Sequence, residues 1–510
     1  MATFLIGIAI LVAGGAVYGR FTEKIFRPDD RPTPAIAHPD GVDYVAMPRW
    51  KNGLINLLNI AGTGPILGPI QGILFGPIAF ITIPIGCVIG GAMHDYFLGM
   101  ISMREGGIQM PEMVKRNTNR GVFGFYIILI CLSLFLIGVV FVYTPGDIIA
   151  TQFVHSQATA SEPSTWIIYI AIFAYYLAAT VFPVDKIIGK IYPIFGAILL
   201  VSAVGVFIML FVKAYPLVNV WEEWSLNGFD FGAYFRSEKF IPTFFITVTC
   251  GILSGFHSTQ ITIISRTTRS EREGRGTFYN MMIAEGFIAM VWAAGTMAMI
   301  GIGASQGGIT MQMTEKGWAY FHEINGVLTQ ISPTSVVGVV CQHMLGPVGG
   351  IIAVLGVIIL PITSGDTALR SLRLIIADTF HIKQKKIISR ILLSLPLFGL
   401  VFLVLVWAKM DPNGFNMIWR YFGLTNQIMA VFALSTIMIW LMTNDRKKYL
   451  WVPLVPLVFY LFITSSYLFS ASIGFRLSVM IAYPLGAVFT VVVVGASLYR
   501  GNKKAVAVTS

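Results

Sequence analysis

Charge is what this 510-residue sequence has least of. Asp, Glu, Lys and Arg make up 12% of it, against about 25% in a typical soluble domain, while 56% of residues are hydrophobic. A chain so poor in charge cannot cover a water-facing surface, which excludes a soluble globular protein. Apolar runs of about 18 residues or more recur along it, each long enough to cross a bilayer. No P-loop sequence is present, which disfavours ATP-driven transport, and no HExxH pair marks a metalloenzyme. Cysteine is scarce as well. Cys87, Cys131, Cys250 and Cys341 sit in apolar segments with no CxxC pair or metal-ligand spacing, and read as small buried hydrophobes. The first apolar run, 3–17, has no basic leader, and its first cation, Arg20, follows it. That order suits a retained helix with its N-terminus outside the cell.

The spacing of apolar runs predicts thirteen spanning segments, at 2–19, 52–75, 76–103, 121–143, 164–183, 187–212, 241–264, 276–304, 346–376, 388–408, 414–442, 450–470 and 475–499. The connections test this reading through the positive-inside rule. Of 35 Lys and Arg, only Lys213, Arg236, Lys239, Lys316, Lys409 and Arg476 fall on one side, with Arg420 inside a segment. All the others fall on the opposite side, which is therefore cytoplasmic and carries the C-terminus. The net charge of +11 is thus topological and does not point to nucleic acid.

Within segment 52–75 lies NIAGTGPILGP, from Asn59 to Pro69. Each proline removes a hydrogen-bond donor and each glycine weakens a helix. Backbone groups freed in a bilayer survive only against protein or a water-filled cavity. A broken helix lining a site is the expectation. A second interruption, CGILSGFHSTQ, lies in segment 241–264. The first broken segment enters from the cytoplasm and the second from outside, with five segments in each half. Matching broken helices of opposite direction mark the inverted repeats of secondary transporters of the LeuT type. The expected divisions are an N-terminal helix and cytoplasmic loop (1–51), a first repeat (52–213), an inverted second repeat (241–442) and two peripheral helices with a tail (443–510). The external stretch 305–345, with amphipathic WAYFHEI and TSVVGVVCQHML, reads as a structural loop with a gating role as the alternative.

Ionisable groups inside membrane segments are expensive and default to functional candidates. The ionisable and other polar residues so placed are His94 and Asp95 in GGAMHDYFLGM, Lys190 in KIIGKIYPIFG, Asn280 and Glu285 in FYNMMIAEGF, Asp366 in SGDTALR, and Arg420 and Asn426 in WRYFGLTNQ.

Together NIAGTGPILGPIQGILFGP, GGAMHDYFLGMISMR, CGILSGFHSTQ, GRGTFYNMMIAEGFIAMVWAA, SGDTALR and FGLTNQ resemble the carbon starvation protein A (CstA) family, collinearly from about Trp50 to Leu441. That family resembles a branch of the amino acid–polyamine–cation superfamily. The resemblance implies an all-α polytopic protein with a LeuT-like 5+5 core, and uptake of peptides or pyruvate driven by a proton or sodium gradient.

On this reading Asn59, Gly62, Thr63 and Gly64 form an unwound section whose half-helix N-terminus offers N–H groups and a positive dipole end to a substrate carboxylate. Close helix packing by the glycines is the competing account. Ser254, Gly255, His257, Ser258 and Gln260, with Asn426, would complete the pocket. His257 either meets substrate or a proton, its reference pKa being about 6.5, or is a neutral structural histidine. His94 and Asp95 point about 100° apart on a helix, so one would face the substrate path and the other Asn280 or Glu285, unless both serve a structural polar network. The superfamily resemblance further implies a sodium site from carbonyls near Ala61 and Gly64 with Thr363, Ser364 or Asp366. Lys190 offers a proton-cycling ammonium at the same place, or a snorkelling interfacial residue.

The leading expectation is a symporter for a small carboxylate or short peptide, with H+ or Na+ as coupling ion and no cofactor. A membrane-embedded nutrient sensor on the same fold is the alternative, and a membrane enzyme is the third class, not favoured. Net uptake into sealed vesicles separates the first two. Nothing in the sequence fixes an oligomeric state.

Overall fold

The computed structural model describes residues 1–40, 44–181, 185–315, 317–384, 386–411 and 413–509, with the backbone only at 181, 185–193, 317, 378, 508 and 509. Fifteen helices carry the architecture: α1 (Ala2–Phe26), α2 (Arg49–Ala61), α3 (Gly64–Gly72), α4 (Ala79–Arg104), α5 (Arg120–Gln152), α6 (Pro163–Val181), α7 (Asp185–Val212), α8 (Phe240–Thr247), α9 (His257–Ile264), α10 (Asn280–Ile302), α11 (Pro333–Thr379), α12 (Ile387–Met410), α13 (Gly414–Thr443), α14 (Trp451–Ser470) and α15 (Val479–Thr509). Among the described residues eleven helices are long and apolar enough to cross a membrane, or twelve if α2 and α3, bent by 48°, make one span. The chain is a multi-pass helical membrane protein.

The expected thirteenth span, 241–264, is the one that fails this test. It consists of α8 and α9, eight residues each, with 248–256 unwound between them. Gly251, at φ 87°, and Gly255 weaken the helix there, although the Leu253 N–H still donates to the Thr249 carbonyl at 3.1 Å. The expected span 346–376 begins at a kink, and the departure is a further helix before it: α11 is two helices joined end to end from Pro333. Its first part is the stretch TSVVGVVCQHML, separated from the rest by a non-helical Gly346 (φ 71°, ψ −177°) just before Pro347.

The external stretch is not an irregular loop either. Thr310–Thr314, Gly317–Ile324 and Val327–Ile331 form an antiparallel three-stranded sheet, β1–β3, with Thr310 opposite Phe321 and Tyr320 opposite Ile331. The sequence WAYFHEI hides this because aromatics occupy both faces of the strand, so it lacks the apolar–polar alternation of a half-buried one. Tyr320 is buried, and its hydroxyl donates to the Ile70 carbonyl at 2.9 Å. That bond ties the sheet to α3.

At the end of the bundle where Lys and Arg concentrate, the segment after α1 folds over the connection between α9 and α10. Thr33 Oγ1 donates to the Thr268 carbonyl at 2.7 Å, and the Met47 N–H donates to the Thr267 carbonyl at 3.0 Å. Arg104 grips Glu271 through two bonds of 2.8 and 2.9 Å, and Asp29 accepts two bonds from Arg31. Arg31 beside it holds the Asp29 carboxyl below the usual carboxylate range. On the other half of the bundle, Lys409 of α12 reaches both oxygens of Asp147 in α5 at 2.8 Å, and the Tyr169 hydroxyl also donates to Asp147. Asp147 is 1% and Lys409 5% exposed, so this pair is fully desolvated.

Candidate functional site

The first break lies between α2 and α3. Gly62 has φ 46° and ψ −143°, a positive-φ conformation outside the left-handed helical region that glycine adopts freely and that costs other residues on the order of 1–3 kcal/mol. Asn59, Ala61, Thr63 and Gly64 are all buried, and the Thr63 hydroxyl has no hydrogen-bond partner. The second break, 248–256, lies directly against the first: a Cβ added to Gly64 would overlap the Cβ and Sγ of Cys250. The glycine therefore brings the two breaks together.

Unwinding α8 from α9 frees backbone groups in a dry interior, where each needs a partner. Helix α13 supplies them. Asn426 Oδ1 accepts from the Phe256 N–H at 2.6 Å, and its Nδ2 donates to Ser254 Oγ at 3.1 Å. Gln427 Nε2 donates to the carbonyls of Leu253 (2.9 Å) and Phe245 (3.3 Å), and Trp419 Nε1 to that of Thr247 (3.1 Å). Sequence reasoning placed Asn426 in the pocket; its polar atoms instead hold the break open. Trp419 was missed, since the indole that opens WRYFG carries no local mark of a backbone partner 172 residues away. Gly255 is part of the same junction, because a Cβ there would overlap the Asn426 carbonyl and Ala430 nitrogen. The remaining polar side chains of the expected pocket bond locally: the Ser258 hydroxyl donates to the Gly255 carbonyl at 2.6 Å, and Gln260 Nε2 donates to Thr259 Oγ1 at 3.0 Å.

From the first residue of α9 a chain of ionisable groups runs across the bundle. His257 Nδ1 lies 3.0 Å from Asp95 Oδ2, and His94 Nδ1 lies 2.8 Å from Asp95 Oδ1. His257 Nε2 lies 3.4 Å from Glu285 Oε2. All four residues have 0% exposure. An ionised carboxylate only accepts, so Asp95 places a hydrogen on Nδ1 of each histidine. Among the described residues no hydrogen bond reaches Nε2 of either histidine or the Glu285 oxygens, so the 3.4 Å approach of His257 Nε2 to Glu285 Oε2 is the contact that joins them. The chain joins α4, α9 and α10 through one carboxylate. His94 and Asp95 do not diverge to separate partners as helical spacing predicts: both rings and the carboxylate turn toward each other. Asn280 is exposed and takes no part.

Of the expected cation ligands, Ser364 is the one brought to the first break, donating to the Leu58 carbonyl in the last turn of α2 at 3.2 Å. Thr363 donates to Leu360 within its own helix at 2.9 Å. Asp366 turns to α6, accepting from Tyr175 at 2.9 Å and from Thr367 at 3.0 Å. Lys190 lies outside the residues whose side chains are described. Cys250, read from sequence as an inert hydrophobe, lies at the junction of the breaks and beside His257 and Glu285.

Comparison with known proteins places these features. The sequence model of the carbon starvation protein CstA family matches residues 1–160, 135–339 and 334–467. The chain is 25% identical to the Peptide transporter CstA of Escherichia coli, over 90% of this chain and 79% of that protein. It is 23% identical to the Pyruvate/proton symporter BtsT of the same organism, over 87% of this chain and 77% of that protein. In fold it is similar to a manganese transporter of Eremococcus coleocola, solved as a point mutant, with TM-score 0.58 and 10% identity over 92% of this chain and 99% of that one.

Proposed function

The chain belongs to the carbon starvation protein CstA family, and from that membership we propose that it is a secondary active transporter importing a small carboxylate such as pyruvate, or a short peptide, by alternating access. The observation that carries this reading is the meeting of two helix breaks in the buried centre, Gly64 against Cys250. Two half-helices of eight or nine residues start there, α3 at Gly64 and α9 at His257. Helix N-termini favour anions through their positive dipole ends and first-turn N–H groups; here Ile66, Leu67, His257, Ser258 and Thr259 turn theirs to the carbonyls of Thr63, Ser254, Gly255 and Phe256, so a carboxylate would exchange with those bonds. Both the carboxylate of pyruvate and the C-terminus of a peptide would be received there, with the Thr63 hydroxyl as a further donor. Escherichia coli relatives named as peptide transporter and pyruvate symporter support the same two substrate classes.

Uptake is coupled to a proton or sodium gradient. Carbonyls of the first break with Ser364 and Thr363 would form a cation position, supported by the bond from Ser364 to Leu58. The Lys-rich end faces the cytoplasm. The His94–Asp95–His257–Glu285 chain would move α4, α9 and α10 as one unit, because separating them strands buried charges.

Thermal melting of the purified protein with pyruvate, other 2-oxo and 2-hydroxy acids, and di- and tripeptides tests the substrate class. A ligand present at about 100 times its dissociation constant stabilises by about 2.7 kcal/mol. A shift with acids or peptides that is lost in Thr63→Val supports the reading. No shift across the whole panel would contradict it.

A further inference from the structure

Three unlike donors converge on one point that transport does not require: Cys250 Sγ, a nitrogen of His257 and a carboxylate oxygen of Glu285, all within 4.8 Å of one another. Cys250 is 3% exposed and the other two residues 0%. Burying a carboxylate and an imidazole nitrogen without full hydrogen bonding is costly, and His257 Nε2 and Glu285 Oε2 meet only as a 3.4 Å ion pair, with no hydrogen bond to either among the described residues.

We propose that Cys250, His257 and Glu285 bind a borderline divalent metal ion, zinc being the ion their chemistry fits best. A set of one sulfur, one nitrogen and one oxygen donor suits zinc and is poor for magnesium, calcium or manganese, which prefer oxygen alone. The surroundings of the histidine point the same way. A metal-bound imidazole almost always donates its other N–H to a carboxylate, which fixes ring and tautomer. Asp95 does this at His257 Nδ1, 3.0 Å away, and is itself held by His94 at 2.8 Å, which leaves Nε2 as the ligand. On binding, the Cys250 thiol gives its proton to solvent. The thiolate and Glu285 then balance the two positive charges of the ion. Tetrahedral zinc with bonds of about 2.0–2.3 Å sets its donors roughly 3.3–3.7 Å apart; His257 Nε2 and Glu285 Oε2 already stand 3.4 Å apart, and Cys250 Sγ lies within 4.8 Å of the other two donors. Cys250 lies within the unwound stretch, His257 at its end and Glu285 on α10, so the ion would staple the second break to its neighbouring helix. The site is independent of which substrate is carried.

The test uses the full-length protein purified in detergent, stripped with a chelating resin, reloaded with Zn2+ and assayed for metal content, with Co2+ loading as a spectroscopic probe. Wild type should hold about one zinc per chain, show a thiolate-to-cobalt charge-transfer band, and melt at higher temperature with zinc than without. Cys250→Ala, which removes only the sulfur, should lose the band, and both it and His257→Gln should fall to a small fraction of an equivalent. Glu285→Gln, close in shape to glutamate, serves where His257→Gln does not fold. Zinc retained equally by Cys250→Ala, a wild type without stoichiometric zinc, or a preference for Mn2+ over Zn2+ would each overturn the assignment. None of these readouts depends on transport, so a failure here leaves the transport reading standing.

Discussion

Replacing Asn426 with Ala tests how the second break is held open. The Phe256 N–H, now 2.6 Å from Asn426 Oδ1, would be left in a site where Asn426 has 0% and Phe256 2% exposure. Hydrogen bonds between membrane helices average only about 0.6 kcal/mol, because the unfolded reference in lipid also finds partners. A backbone donor freed by an unwound segment has no helical carbonyl to return to, so the penalty for a stranded buried group applies, about 1–3 kcal/mol. The bond from Asn426 Nδ2 to Ser254 adds little, since that hydroxyl rotates to other acceptors. We expect a loss of about 2 kcal/mol in reversible SDS unfolding. Asn426→Asp retains the accepting oxygen and separates this effect from side-chain volume: its Phe256 amide should stay protected from hydrogen exchange, whereas that of Asn426→Ala should not. An alanine variant with wild-type stability and exchange would refute the reasoning.

Other perturbations follow from the same physics. Gly62→Ala forces an L-residue to φ 46° and brings a Cβ to 2.8 Å from Phe141 Cζ; it should cost about 1–3 kcal/mol and reduce uptake while the chain still folds, read by melting and transport together. Lys409→Met leaves Asp147 buried and unpaired and should lose about 3–5 kcal/mol, with Asp147→Asn in the same chain restoring most of it; failure of that rescue would show that the pair is not the unit of stability. At the basic end, the folded Asp29 carboxyl lies below its unfolded value because of Arg31. Its contribution to stability is therefore present above the unfolded value of about 3.9 and lost as pH falls through and below it. The melting difference between wild type and Asp29→Asn should be visible at neutral pH and shrink on acidification toward pH ~3; a difference that grows would contradict the sign.

Much of this was legible in the chain because a bilayer leaves few options. NIAGTGPILGP and CGILSGFHSTQ advertise their breaks by clustering helix-weakening and polar residues inside apolar runs, and charge placement gives the two a common frame. The expectation of buried polar candidates at His94, Asp95, His257 and Glu285 met a single connected chain, although spacing on a straight helix pointed His94 and Asp95 apart. Partners supplied by distant helices were not legible. Asn426 and Gln427 look like ligands in sequence and serve the backbone of 245–256 in space, and nothing near Lys409 or Asp147 marks them as a pair. Cys250 and His257 are seven residues apart across an unwound stretch, so no regular spacing brings sulfur and imidazole together. The sheet at 310–331 escaped because Trp318, Ala319, Tyr320 and Phe321 show no alternation.

Accumulation in sealed proteoliposomes addresses the central claim most directly. Reconstituted protein, given labelled pyruvate or a labelled dipeptide and an imposed inward proton or sodium gradient, should concentrate its substrate above the external level and release it when an ionophore collapses the gradient. Dependence on pH without sodium identifies the proton, and strict sodium dependence identifies sodium. Saturable binding with no net uptake under either gradient would contradict transport and leave a sensor on a transporter fold.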